Sequence, residues 1–363
     1  MVASSPRSNL SSPGGAAQAT AEEVAAAAAE QARTQIEAAQ DDDDDLASEA
    51  ESGYSSDDGN GSETTSVSSS VRDYNFENGR RYHKYCEGRY VFPNDEQEQD
   101  REDMKHAMTV AVCGDKLHFA PIGAHPGRIL DLGTGTGIWC VDMGDMYPSA
   151  EVIGVDLSPI QPNFVPPNVR FLVDDIESEW VYGAPFDLIH VRAMAPAIRD
   201  WPRVLGSALD WLKPGAYVEL QELDFFPQSD DGSMPPDWPY ALYMAAVRQG
   251  LQNFGNDFHV AQRVAGKLRD AGFVNVTEQT IKVPLGAWAK NPLLRTAGLY
   301  MQAAVIDAFN MAINGPLTKG LGWSKEEAEV FVAAARKAVR NPKVHAYYTL
   351  YMVYGQKPGP GVS

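Results

Sequence analysis

Three glycines at alternate positions mark the stretch RILDLGTGTG at residues 128–137. A short apolar run ends in Asp131 and passes directly into Gly133, Gly135 and Gly137, and an amphipathic segment typical of a helix follows. Glycine tolerates positive φ and lets a ligand lie against bare backbone, while a helix that begins beside it offers unpaired N–H groups at its positive end. The pattern therefore predicts a strand, a turn and a helix that together hold a small polar ligand.

The spacing of the glycines separates two classes of ligand. In the dinucleotide fingerprint G-x-G-x-x-G/A, the third small residue packs the helix against the strand. Counted from Gly133, that position is Ile138, and the third glycine comes one residue early at Gly137. The pattern acid-x-G-x-G-x-G instead resembles motif I of the class I S-adenosylmethionine (SAM) methyltransferases. This resemblance implies SAM as the cofactor, held by the loop residues Asp131, Gly133, Thr134, Gly135 and Gly137.

Strands and helices alternate on both sides of this loop. The apolar pattern predicts strands at 152–156, 169–173, 186–191 and 216–223 and helices at 137–147 and 201–211. Alternation at this spacing implies right-handed parallel crossovers in a doubly wound sheet. Two later strand-like runs complete the sheet: 273–285 lies within a predicted helical insert at about 225–340, and 345–358 follows it. We therefore predict an α/β, Rossmann-like class I methyltransferase fold with a mostly parallel seven-stranded sheet.

Carboxylates follow the second and third predicted strands. Asp156 comes nineteen residues after Gly137 and is followed by Leu157; a carboxylate at this place can accept hydrogen bonds from both ribose hydroxyls of SAM or of NAD. After the third strand, Asp175 stands directly before Ile176. The methyltransferase resemblance implies that this Asp takes the adenine amino group and that the apolar side chain packs on the ring. A pair of helix N-caps is the alternative interpretation.

A narrower resemblance rests on strings that fold physics does not demand. NGRRYHKYCEGRYVFPNDEQEQDREDMKH, LDLGTGTGIW, VIGVDLSPIQPNFVPPNVRF, the DWP at Asp200 and the terminal HAYY are similar to the fungal LaeA-type methyltransferases over about residues 75–358. The resemblance implies SAM-dependent methyl transfer without naming the acceptor. The family includes a nuclear regulator of secondary-metabolite gene clusters, which works with velvet-type proteins, and tailoring enzymes encoded within such clusters.

Methyl transfer needs alignment of the acceptor and, for a hydroxyl or a protonated amine, removal of a proton. His190 and Glu222 lie where the fourth and fifth strands end and are the candidate catalytic residues. For His190, a satisfied structural histidine is the alternative interpretation. Tyr90, with Arg80 and Tyr82, is a candidate contact for the methionine part of SAM. The histidines show no metal-ligand spacing, so we expect no metal site.

Acidity concentrates at the N-terminus. Residues 1–73 carry a net charge of −12 of the total −19, and they are rich in Ser, Ala and Gly. This composition buries too little apolar surface to offset ordering entropy, so we predict a disordered acidic tail, with a transient helix possible at about 21–39. A capping segment at 74–127, which contains a helix capped by Asn94, and the SAM-binding domain at 128–358 complete the predicted organisation. An ordinary packing helix before the sheet is the alternative interpretation of the segment before the domain.

Charge and composition also limit the partners. A chain this acidic has no general attraction for nucleic-acid phosphate, and no apolar run approaches the length that crosses a bilayer. Three scattered cysteines form no disulfide framework, which fits a reducing compartment. We therefore expect a cytoplasmic enzyme that methylates a small molecule or a peptide, with a possible protein partner for the tail. The alternatives are a nuclear regulator in a velvet-type complex and a nicotinamide-dependent oxidoreductase, the latter disfavoured by Ile138.

Overall fold

Seven strands form one sheet at the centre of the protein. The computed structural model describes residues 20–39, 74–77, 80–83, 94–195, 197–255 and 260–359. The sheet contains β3 (Arg128–Leu132), β4 (Glu151–Asp156), β5 (Val169–Val173), β6 (Phe186–Arg192), β7 (Leu212–Gln228), β8 (Val274–Pro284) and β9 (Tyr347–Gln356). The spatial order is β5-β4-β3-β6-β7-β9-β8, with β9 antiparallel to both of its neighbours. The predicted fold class is confirmed.

The glycine loop begins at the centre of this sheet. β3 pairs in parallel with β4 on one side and with β6 on the other, so the strand before the loop is flanked on both edges. Ile129, Leu130 and Leu132 are fully buried, as expected for a strand covered by helices on both faces. The strand order reverses at β3, and ligands of open α/β sheets bind in the crevice beside such a reversal.

Helices cover both faces of the sheet. α3 (Ile138–Met146) and α4 (Trp201–Trp211) follow the predicted alternation, while α6 (Val264–Asp270) and α8 (Lys325–Ala338) lie within the predicted helical insert. Before the sheet, β1 (Tyr74–Glu77) and β2 (Arg80–His83) form a hairpin, and α2 (Glu96–Val112) follows. The N-cap of α2 is Asp95, whose side chain accepts from the N–H of Glu98, so the prediction of Asn94 as the cap is wrong. The Asn94 side chain instead donates to Ser158 Oγ at 3.3 Å.

The helical insert contains two long helices joined closely at one end. They are α5 (Pro239–Gln252) and α7 (Pro292–Ala312), and a π-helical segment, Ile313–Gly320, continues α7. A methyl group at Gly250 of α5 would overlap the backbone of Pro316 in the π-helical segment. The glycine therefore permits a close backbone crossing that fixes where these elements meet. Over the described parts of the chain, every helix is too short or too polar to span a bilayer.

Part of the predicted disordered tail is folded. Residues 21–33 form α1 (Ala21–Arg33), which begins with a capping box between Thr20 and Glu23 and packs on α7 and β8. Ala28, Ala32 and Ile36 are buried in the apolar core of the insert. The prediction of disorder over 1–73 is therefore wrong for residues 20–39, because the small alanines let the helix lie close to its partners. The rest of that predicted tail, up to residue 73, lies outside the described residues.

Candidate functional site

The glycine loop turns sharply between β3 and α3. Gly137 caps the N-terminus of α3 with φ of +83° and with no side-chain cap. A methyl group at Gly137 would overlap the ring of Phe171 on β5, so this glycine allows the helix to approach the sheet. A methyl group at Gly135 would meet nothing within 4 Å, and Gly135 lines a cavity. The loop therefore offers bare backbone to the cavity at Gly135, while Gly137 is packed against the protein.

Asp156 connects this loop to the end of β4. Its Oδ2 atom accepts from the N–H of Gly135 at 2.9 Å, and Oδ1 accepts from the N–H of Ser158 at 2.8 Å. Gln161 Nε2 donates to the carbonyl oxygens of Gly135 at 2.7 Å and of Ser158 at 2.9 Å. These bonds hold the two loops together and place the Asp156 carboxylate in the cavity wall.

The loop after β5 adds the second predicted pair to the same wall. Asp175 Oδ1 accepts from the N–H of Glu177 at 2.9 Å, and Ile176 is 8% exposed. The first cavity encloses about 230 Å³. Six of the predicted cofactor residues line it, which are Gly133, Gly135, Asp156, Leu157, Asp175 and Ile176. Residues from three different strand ends therefore line one cavity.

The other predicted cofactor residues lie elsewhere. Asp131 and Thr134 line a second, smaller cavity of about 70 Å³, which shares part of its wall with the first. The Thr134 hydroxyl lies 3.3 Å from Cys140 Sγ. Tyr90 lies outside the described residues, and of Arg80 and Tyr82 the structure describes only the backbone.

His190 is a buried structural residue. Its Nδ1 atom is 2.7 Å from Asp131 Oδ1, and its ring stacks on Trp139 at a centroid distance of 3.8 Å. The side chain is fully buried, it lines neither cavity, and Nε2 has no hydrogen-bond partner among the described residues. Burial alone would raise the pKa of Asp131, but the hydrogen bond and charge of His190 outweigh it and hold that pKa below its usual value. The position argues against the predicted role of His190 as a catalytic base.

Glu222 holds the turn after β6 through two hydrogen bonds. Oε1 accepts from the N–H of Met194 at 2.8 Å and Oε2 from the N–H of Ala195 at 3.2 Å. Glu222 does not line the cavity, although Met194 does and lies directly against Gly133. Burial raises the pKa of Glu222 to about 7. The structure therefore gives Glu222 a positioning role and does not place it where an acceptor would bind, contrary to the prediction of a catalytic group.

Charged side chains on α2 form a part of the site that the sequence reasoning missed. They lie at i, i+3, i+4 and i+7 on one face of the helix and line the first cavity, and they are Glu98, Arg101, Glu102 and Lys105. Lys105 Nζ donates to Glu102 at 2.8 Å, and Arg101 Nε donates to Glu98 at 3.1 Å. Their helical spacing was visible in the sequence, but only the structure shows that this face is turned to the cavity.

Burial and pairing adjust the charges on this face. Burial alone would raise the pKa of Glu102, but Lys105 and Arg101 outweigh it and lower the pKa to about 2. Burial lowers the pKa of Lys105, against the opposing charge of Glu102. Both signs of charge are thus present side by side in one wall of the cavity.

Hydrogen bonds fasten α2 to the loops of the site. The hydroxyl of Thr136, in the glycine loop, donates to Asp103 Oδ1 at 2.7 Å. Arg192 at the end of β6 lies 2.9 Å from His106 Nδ1 through Nη2, and it lines both cavities. The charged face of α2 is therefore held beside the glycine loop.

Apolar side chains from the helical insert form the remaining wall of the first cavity. They come from α5, α7 and the π-helical segment, and they include Tyr240, Tyr243, Met244, Val247, Met301 and Val305. We call this part of the cavity the apolar lobe. The first cavity is therefore lined by the carboxylates at the strand ends, by the charged face of α2 and by the apolar lobe.

Known proteins resemble this chain over most of its length. A sequence model described as a methyltransferase domain matches residues 104–278. The methyltransferase pytC of Aspergillus terreus is 40% identical over 298 residues, covering 82% of this chain and 92% of the relative. The secondary metabolism regulator LAE1 of Cochliobolus heterostrophus is 35% identical, covering 78% and 94%. The protein-methionine methyltransferase laeA of Emericella nidulans is 34% identical, covering 78% and 76%. With the site geometry, these similarities show that the chain belongs to the fungal LaeA-type family of SAM-dependent methyltransferases.

Proposed function

We propose that the chain binds SAM along the first cavity and methylates a small-molecule acceptor held in the apolar lobe. The observation that carries this proposal is the meeting of Asp156, Asp175 and the charged face of α2 in one wall, with the apolar lobe directly beyond. A cofactor with a ribose, an adenine and an amino-acid end, and an acceptor beside it, would fill these regions in turn.

The residues fit SAM group by group. Asp156 ends β4, where a carboxylate can accept from ribose hydroxyls, and Ile176 offers a small apolar surface in the cavity wall beside Asp175 for adenine. The amino-acid end of SAM carries a carboxylate and an ammonium group, and Arg101, Lys105 and the neighbouring glutamates supply partners for both signs. Gly135 lets the cofactor lie against the loop because its backbone faces the cavity without a side chain.

The chemistry requires little beyond alignment. SAM brings an activated methyl group on a sulfonium, so the protein contributes chiefly by positioning the acceptor atom and excluding water. Glu222 holds the turn that carries Met194, and Thr136 with Asp103 holds α2 over the loop. These bonds preserve the shape of the cavity in which transfer takes place. Neither His190 nor Glu222 reaches that cavity, so positioning is the contribution that the described residues support.

The relatives have two different biological roles. Their names include a methyltransferase and regulators of secondary metabolism. We favour a pathway enzyme acting in the cytoplasm, because the apolar lobe is suited to a small molecule. A nuclear regulator that methylates a protein and engages a partner through its acidic N-terminus is the alternative.

Two measurements test this proposal. S-adenosylhomocysteine (SAH) should raise the melting temperature of the purified chain and NAD should not, because a ligand that binds only the folded state stabilises it. At a hundredfold excess over its dissociation constant, SAH should add about 2.7 kcal/mol. An absence of any shift at millimolar SAH would overturn the cofactor assignment.

The second measurement concerns the acceptor. The chain is incubated with methyl-labelled SAM and a fungal culture extract, which is then separated into a small-molecule and a protein fraction. Label in the small-molecule fraction supports the pathway enzyme. Label confined to protein contradicts it and supports the regulator.

A further inference from the structure

We infer that the acceptor is an uncharged, elongated and predominantly apolar molecule whose body lies between α5 and α7. This inference rests on the proposed function and specifies the substrate class of the same site. It is drawn from the apolar lobe, which the cofactor residues do not need and which opens directly from their cavity.

The two helices turn matched faces to the lobe. On α5, Tyr243, Met244 and Val247 recur at helical spacing, and all three are buried. On α7, Met301 and Val305 lie on the same face as smaller residues, among them Ala308. The helices approach where Tyr243 meets the ring of Phe309, at a centroid distance of 4.8 Å. The alanines leave the space between the helices that the larger side chains enclose.

The lobe is continuous with the site of methyl transfer. Met301 lines both cavities, together with Leu223 and Phe225 of β7 and Arg192 of β6. Gly133 and Gly135 of the glycine loop also line both of them. An acceptor lying along α7 would therefore bring one end to the cofactor, and the rest of its body would extend away from the charged face of α2.

Charge is absent from the far part of the lobe. Among the described lining residues of α5, α7 and the π-helical segment there is no Asp, Glu, His, Lys or Arg. Burial raises the pKa of the Tyr240 and Tyr243 phenols well above the usual value, so both stay neutral, and the Tyr240 hydroxyl is hydrogen-bonded to that of Tyr348. Burying a charge or an unpaired polar group in such surroundings costs several kcal/mol. A body without charge is therefore the kind of ligand that the lobe can accept.

The elements also limit its length. The lining face of α7 runs from Met301 to Ala312, a distance of about 16 Å at 1.5 Å per residue. At the end of this face, the backbones of Gly250 and Pro316 are in contact and close the space between α5 and the π-helical segment. The geometry thus fits a ligand that is longer than a single ring, and the space is too short to hold a peptide helix.

The test uses Nile red, an uncharged apolar dye whose fluorescence rises in apolar surroundings, with the full chain saturated by SAH. We expect saturable binding of one dye per chain. Ala308→Trp should fill the lobe and weaken dye binding at least tenfold, whereas Ala333→Trp, at an exposed position of α8, should leave it unchanged. SAH binding to both variants reports whether the cofactor site is intact, and Ala308→Leu replaces the tryptophan variant if that one does not fold.

A pair of competitors tests the apolar character of the far end. 1-Decanol should displace the dye at a concentration at least tenfold lower than 1,10-decanediol, because the second hydroxyl of the diol would be buried without a partner. Equal displacement, or equal dye binding by wild type and Ala308→Trp, would overturn the inference. If SAH binds and the dye does not, the substrate class is wrong and the cofactor assignment stands. If SAH itself fails to bind, the proposed function is wrong.

Discussion

The buried isoleucine in the N-terminal segment offers a sharp test of how that segment is held. Ile36 is 7% exposed and packs in the core of the insert, and nearby Lys290 donates its N–H to the carbonyl oxygen of Glu37 at 2.8 Å. Truncating a buried isoleucine to alanine removes three carbons and typically costs about 2–5 kcal/mol. A segment at the edge of a core can detach locally, so we expect Ile36→Ala to cost about 2–3 kcal/mol in unfolding free energy.

Denaturant unfolding of wild type and variant measures this cost. Gln35→Ala is the matched control, since Gln35 is exposed on the same segment and should change the free energy by less than about 0.5 kcal/mol. Trypsin gives a second readout, because Arg33 lies at the exposed end of α1 and should be cut faster in Ile36→Ala. If Ile36→Ala unfolds and is cleaved like wild type, the segment is not docked as described.

Two further predictions concern buried glutamate and glycine. Because its folded pKa of about 7 lies above the unfolded value, Glu222 stabilises the protein below pH 4 and loses that contribution as pH rises through 7, a change of about 3 kcal/mol. Glu222→Gln should remove this part of the pH dependence, and equal differences in unfolding free energy between pH 4 and pH 8 for both proteins would contradict it. Gly137→Ala should cost more stability than Gly135→Ala, by about 1–3 kcal/mol, because only the former would overlap Phe171. Equal melting temperatures would show that α3 does not lie as close to β5 as the structure places it.

The sheet and half of the site followed from local sequence. Alternating apolar runs locate the strands within a few residues, and parallel strands bring their carboxyl ends to one edge of the sheet. That geometry is enough to assemble Asp156, Asp175 and Gly135. Because β4 and β5 are short, consecutive and parallel, the loops that follow them are constrained to lie next to each other at that edge.

The catalytic assignments failed for a different reason. His190 and Glu222 stand at strand ends like the aspartates, and a sequence does not show which polar side chains already have partners. Their partners, Asp131 and the turn at Met194, lie 59 and 28 residues away. Whether a polar side chain already has hydrogen-bond partners depends on tertiary contacts. The sequence therefore gave no reason to exclude either residue from a catalytic role.

The N-terminal segment illustrates the same limit. Composition reports only the apolar surface that a segment itself contains, and residues 20–39 contain too little apolar surface to fold alone. α1 packs on α7 and β8, and Ala38 pairs with Ala289, about 250 residues later. By composition alone, a segment that packs only one small face against a distant part of the chain cannot be distinguished from a disordered segment.

Calorimetric titration of SAH against Asp156→Asn tests the central claim most directly. The carboxylate ends β4 in the cavity wall, and loss of a hydrogen bond to a charged group costs about 1.5–3 kcal/mol, or roughly tenfold to 150-fold in affinity. Asp145→Asn, at an exposed position on α3, removes the same charge away from the site and should bind SAH like wild type. A selective loss in Asp156→Asn is the predicted result. Unchanged SAH affinity in a folded Asp156→Asn would show that the cofactor does not bind at this carboxylate.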